Sequence, residues 1–301
     1  MRTTTAGAYT INPVSLDVSL SNMIVDNTTL NISLINMGKN AVTSVTLSWE
    51  DNGVTQTPIN WTGNLADFMS DTILSIANLT SGLHNIKIWI NNVNGQGNDN
   101  SQLNDTISQM FYICSGPLSG DYTVGTSSSD FESLETALWA LNSCGVSGPI
   151  VLKLAAGTYA PISIRTTITG SSDINTITIT SATGNANDVQ FVANNGGAIT
   201  LMNTNNWKFS SLSIDVSASI SNSFGFYISG EKNTNIEIYN CNINIGINRD
   251  SLFGIYVDAD SIENLKNQNR QNYFLRRIDL TSYRQIMKQR NLKIHRIHYQ
   301  N

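Results

Sequence analysis

At 301 residues the chain is long enough for two domains, each with its own core. Only 13% of residues are charged, whereas 39 Asn, 34 Ser and 29 Thr supply short polar side chains in place of the usual charged surface. The net charge of −5 offers no basic field to a phosphate backbone, which excludes nucleic acid as a partner for the body of the protein. No run approaches the roughly 18 consecutive apolar residues of a membrane helix, and the stretch from Met1 to Tyr9 lacks the apolar core of an export signal.

The 40% of hydrophobic residues arrive largely as Val, Ile and Leu in short alternating runs, the pattern of β-structure. From Val14 to Ile113 the predicted strands are Val14 to Leu20, Leu30 to Ile35, Val42 to Trp49 and His84 to Ile90. Each alternates at period two and so buries one face. Turn signals at Asn36-Met37-Gly38, Asp51-Asn52-Gly53, Ser81-Gly82 and Asn94-Gly95 separate them at spacings suited to a β-sandwich with Greek-key connections. Asn36-Met37-Gly38, Ser81-Gly82-Leu83-His84 and the segment from Asn94-Gly95 to Asn104-Asp105-Thr106 resemble bacterial CARDB and related Ig-like modules. That resemblance implies an adhesive or spacer role for residues 1–113.

A Gly-, Ser- and Pro-rich stretch begins at Cys114, and residues 114–128 read as a linker. Ser129-Asp130-Phe131-Glu132 fits a capping box, with Phe131, Leu134, Leu138 and Leu141 on one helical face and Gly145 as the stop. Short strands follow at Ile150 to Leu154, Ile162 to Ile164, Thr176 to Thr180, Val189 to Val192 and Ile199 to Met202.

Trp207, Phe209, Leu212 and Ile214 recur as Ile236, Ile238, Cys241 and Ile243, an offset of 29 at all four positions. Gly225-Phe226-Tyr227 recurs as Gly254-Ile255-Tyr256 at the same offset. A coil of a β-solenoid buries its inward side chains only against the coils above and below, so it repeats apolar residues once per turn. The segment 118–125, the predicted helix, Gly145 to Pro149 and Gly157-Thr158-Tyr159 resemble the entry to pectin-lyase-like β-helix proteins of Bacteroidetes type. The resemblance implies a right-handed parallel β-helix over residues 129–260, its open end shielded by the helix. The expected fold is therefore all-β: an Ig-like sandwich, then a short β-helix of three or four rungs with an N-terminal capping helix.

Residues 261–301 hold nine of the 17 Lys and Arg but only two of the 22 acids, a net +7 that leaves −12 for the first 260 residues. The 29-residue period stops at Asp258-Ala259-Asp260. Two readings of this tail stay open: a basic helix from about Asn272 to Arg290 that covers the end of the solenoid or binds an acidic partner, and a truncated or frame-shifted gene end. The second is favoured, because such a composition arises from unselected sequence, and ordered packing is then expected to end near Asp260.

Three cysteines, Cys114, Cys144 and Cys241, form no CxxC pair, so no zinc site is indicated. One bridge, Cys114 to Cys144, stays open against three buried small apolar side chains. Lyases on this fold use calcium or Arg to neutralise a uronate and Lys or Arg as base, and hydrolases need paired carboxylates. The rungs are poor in both. Asp215 meets Asn244 one period on, and Asp258 meets Ser229, so no acids stack. Asp258 and Asp260 could share a cation but read better as a solvated turn. Lys208, Lys232 and Arg249 read as solvated surface, and His84, His295 and His298 lack triad partners. Asn203-Thr204-Asn205-Asn206 and Asn240-Cys241-Asn242 read as rung-to-rung amide ladders, with sugar hydroxyls as the other use.

No catalytic residue, metal ligand or resident cofactor is assigned, calcium being the one cation left open. The expected function is a non-catalytic secreted or cell-surface module that binds extracellular polysaccharide or other surface proteins. The alternative is a fragment of a β-helix polysaccharide lyase or glycoside hydrolase.

Overall fold

The computed structural model describes residues 16–26, 29–76, 79–99, 101–219, 223–245, 252–263 and 266–267. The chain is mostly β and divides into two compact units, Met1–Gly116 and Pro117–Asn301.

The first unit holds β1 (Val18–Asp26), β2 (Thr29–Asn36), β3 (Val42–Asp51), β4 (Val54–Thr55), β5 (Ile59–Leu65), β6 (Ser70–Ile76), β7 (Gly82–Val93) and β8 (Thr106–Ile113). All pair antiparallel, in one sheet of order β1-β2-β6 and another of order β4-β3-β7-β8 with β5 also on β3. The alternation read from the sequence sets which side chains turn inward. Leu30, Ile32 and Leu34 of β2, Val45 and Leu47 of β3, and Ile86 and Ile88 of β7 join one buried cluster. Asn52 and Gly53 both take positive φ, 50° and 78°, which a two-residue hairpin requires to match the strands' twist. Strands β4, β5, β6 and β8 are not among those predicted. The outer ends of β5 and β8 are mostly exposed, so they carry too little inward alternation to register.

The second unit is a β-solenoid of about five turns, a right-handed parallel β-helix. It runs through β9 (Leu118–Val124), α1 (Leu134–Cys144), β10 (Val146–Leu154), β11 (Gly157–Tyr159), β12 (Ile162–Ile164), β13 (Ile177–Ser181), β14 (Val189–Val192), β15 (Gly196–Met202), β16 (Asn205–Ser210), β17 (Ser213–Asp215), β18 (Ser223–Tyr239), β19 (Asn242–Asn244), β20 (Leu252–Glu263) and β21 (Lys266–Asn267). One column of coils aligns Leu152, Ile179, Phe209 and Ile238. A second aligns Tyr159, Phe191, Ile214 and Ile243, and a third Ile199, Phe226 and Ile255. Trp207 pairs with Ile236 and Phe209 with Ile238, all essentially buried, which is the inward stacking the period predicts.

Four expectations change. About five turns replace the three or four rungs expected. The stretch 114–128, read as a linker, contains β9, which pairs parallel with β10. Its strand character escaped notice because Gly120 and three exposed polar positions dilute the pattern. The helix is capped by Ser133, not Ser129: the Ser133 hydroxyl accepts from Thr136 N–H. Phe131 is drawn into a bridge with Val124, and Asp130 accepts from Thr123, so residues 129–132 cannot enter the helix. Finally, pairing continues past Asp260, with Ser261 opposite Lys232 and Asn267 opposite Ile238. Backbone ladders do not depend on side-chain type, so they outlast the change in composition. The remainder of the 261–301 tail, with both readings of it, lies outside the described residues.

Candidate functional site

On the third column the inward side chains alternate with outward ones, and two successive coils carry aromatic rings on the outer surface. Phe224 of β18 lies opposite Phe253 of β20, and Tyr227 opposite Tyr256. Ring centroids are 5.6 Å apart for the phenylalanines and 5.8 Å for the tyrosines, both pairs stacked. Within a strand, Phe224 and Tyr227 stack at 5.0 Å although they are three residues apart, and Phe224 reaches Tyr256 at 4.8 Å. All four are half-buried.

Residues three apart share a face of a strand only if the backbone departs from its pleat, and Gly225 lies between them. A Cβ there would sit 2.5 Å from the Gly254 carbonyl oxygen and 2.9 Å from Ile243, so only glycine allows the two coils this close. The coil below carries Gly197 opposite Phe224 and Thr200 opposite Tyr227, so the platform stops there at small, partly polar positions. Asp258, two residues beyond Tyr256, is exposed. The arrangement is a plate of four half-buried rings on two successive coils, with the exposed Asp258 two residues on from Tyr256.

The Gly225-Phe226-Tyr227 repeat was legible, but Phe224 and Phe253 were missed. The signal is present in the sequence, since Phe-Gly-x-Tyr recurs at the same offset of 29, but it lies at outward positions, where the repeat does not require matching residues.

The other singled-out residues do not converge. Asp215 accepts from its partner one coil on, Asn244, at 3.3 Å, and from the Ser217 hydroxyl and N–H. Asp258 stands opposite Ser229. Lys208 forms an ion pair with Glu237 across coils at 3.7 Å. Lys232 donates its backbone N–H to Asn203. His84, in the first unit, is held between the Asp51 carboxylate at 2.7 Å and the Thr80 carbonyl at 2.8 Å, and stacks on Phe111. Arg249, His295, His298 and the side chain of Asp260 lie outside the described residues. Among the described residues no group of three or more His, Cys, Asp or Glu is placed to hold a metal ion, and no helix is long and apolar enough to cross a membrane.

The Asn-rich corners hold the coils to one another. Asn205 Oδ1 accepts from both the N–H and hydroxyl of Thr234, and Asn235 donates to Asn206 at 2.9 Å, each bond spanning 29 residues. Buried Asn233 takes the Thr204 N–H and donates to the Ser229 carbonyl. Cys114 and Cys144 are disulfide-bonded, whereas the buried Cys241 thiol stands outside that bridge and burial pushes it up to about 12.

Comparison of the chain with family models, with curated proteins and with solved structures gives no match.

Proposed function

We propose that this protein is a non-catalytic secreted or cell-surface module in which an Ig-like, CARDB-type spacer precedes a β-helix that binds a neutral polysaccharide on its outer aromatic plate. The observation that carries the reading is the plate of Phe224, Tyr227, Phe253 and Tyr256. The face of an aromatic ring is electronegative and attracts the polarised C–H groups on the flat side of a pyranose, while tyrosine hydroxyls partner those of the sugar. Paired rings also steady the sheet, but four rings gathered on two coils, each still partly open to solvent, exceed what one cross-strand pair needs.

Two further observations support the reading. Lys208 pairs with Glu237 and Asp215 takes the Asn244 amide, so these acids and bases do not converge on a shared point, which suits binding without bond cleavage. The disulfide state of Cys114 and Cys144 suits an oxidising, exported setting. In this reading α1 serves as the cap of the solenoid's first coil.

The test is affinity electrophoresis and calorimetry against neutral soluble glycans, namely β-glucan, xylan and galactomannan, with polygalacturonate as the acidic comparison. Binding to a neutral glycan, weakened about tenfold or more by Tyr227→Ala with Tyr256→Ala, is expected. Absence of binding to all of them, or release of reducing or unsaturated ends, overturns it.

A further inference from the structure

The solenoid has a second surface feature, distant in sequence from the aromatic plate. A groove of about 750 Å³ runs between α1 and the segment from Ala156 to Ser163. One side is formed by Glu132, just before α1, and by Glu135, Leu138, Trp139 and Asn142 of the helix, and the other side by β11 and β12.

Those two strands are edges. β11 ends the four-stranded sheet β11-β14-β17-β19, and β12 ends the nine-stranded sheet, so among the described residues each is paired on one side only. An unpaired edge offers a row of N–H and C=O groups to another extended chain. The facing helix presents an unusual wall for such an edge. Trp139 is 38% exposed although it is the largest side chain of α1, and Leu138 turns into the groove rather than onto the buried helix face of Leu134, Ala137, Ala140 and Leu141. Glu132 and Glu135 are both exposed, and no Lys or Arg lines the groove.

We infer that this groove binds an extended peptide segment carrying lysine or arginine, which adds a strand to the β11 edge. The backbone ladder supplies affinity. Alternate side chains of the added strand point to the helix, where apolar ones meet Leu138 and Trp139 and a cationic one lies over the indole and between the two carboxylates. A glycan would use the indole but leave the strand edge unpaired, which is why the peptide is favoured.

The probe is an acetylated, amidated heptapeptide alternating lysine and valine, with a fluorophore, titrated with the full chain by fluorescence anisotropy. Two comparison peptides replace lysine by glutamate or carry alternate N-methylated backbone amides. Saturable binding of the lysine peptide is expected, with the glutamate and N-methylated peptides each at least about tenfold weaker. Glu132→Gln with Glu135→Gln is expected to weaken it about tenfold, and Trp139→Ala to a similar degree. These positions are exposed, so unchanged far-ultraviolet circular dichroism verifies that the variants fold. No binding of the lysine peptide at millimolar concentration overturns the inference. So does binding indifferent to N-methylation or to the glutamine pair, and so does loss of neutral-glycan binding, rather than peptide binding, in Trp139→Ala.

Discussion

Asn36 in the first unit and Asn233 in the second are both fully buried amides, and each bonds a residue 29 positions away, yet they fasten different things. Asn36 donates to the carbonyls of Asn40 and Leu65 and accepts from Gly38 N–H, clamping the turn after its own strand to the end of β5 in the other sheet. Asn233 accepts from Thr204 N–H, 29 residues earlier, and so ties one coil to the next. In the antiparallel unit the buried amide secures a turn and ties it to a strand of the other sheet. In the parallel unit no turn joins partners, so the amide takes over part of the task of setting the register.

Core truncations give the largest expected effect and break the comparison most sharply. Phe209→Ala removes a buried ring stacked on Trp207 and edge-on to Phe226, and is expected to cost about 4 kcal/mol, against about 3 kcal/mol for Ile88→Ala in the first unit. Hydrogen exchange should localise the damage. For Phe209→Ala it is expected in the coils on either side, since a coil touches only its neighbours, and for Ile88→Ala throughout the first unit's cluster. Uniform loss of protection in both variants would contradict the distinction.

Next in size are the amides. Asn36→Ala and Asn233→Ala each orphan buried backbone groups, at about 2 kcal/mol by urea unfolding. The comparison predicts that Asn233→Asp fails to rescue, because the Ser229 carbonyl then loses its donor, whereas a shift of under about 0.5 kcal/mol for Asn233→Ala would mean that the ladder backbone alone sets the register.

The smallest expected effect is a pH dependence confined to the first unit. Asp105 is 4% exposed with one carboxylate oxygen unpartnered, and burial, then Asp99 and Asp17, push its carboxyl up to about 6. A raised carboxyl means that the folded unit holds the proton more tightly than the unfolded chain. The contribution is therefore fully present below about pH 4 and lost as pH rises through about 6. Asp105→Asn should stabilise the first unit by on the order of 1 to 2 kcal/mol at pH 8 and leave it unchanged at pH 4. A gain of equal size at both values would show that charge is not the cause.

Much of this was legible in the sequence for one physical reason: inward positions of a repeat must match. Trp207 over Ile236 and the Asp215 to Asn244 pairing followed from the offset alone. What escaped depends on competition that a pattern does not record. Ser129 and Ser133 are equal as caps, and the choice fell to Phe131, whose bridge with Val124 lies outside any helical periodicity. The aromatic plate escaped because outward positions are free to vary, so matching phenylalanines there looked incidental until Phe224 and Phe253 were seen face to face.

The glycine between each phenylalanine and tyrosine makes the plate extensible. Because the whole Phe-Gly-x-Tyr motif sits within a coil whose contacts span 29 residues, an in-frame duplication of one coil would append another pair of rings at the 5.6 Å and 5.8 Å separations of the present pairs, without disturbing those present. The reach of such a surface would then be inherited as a copy number, and its grip on a repetitive ligand would rise through avidity rather than through any new contact chemistry.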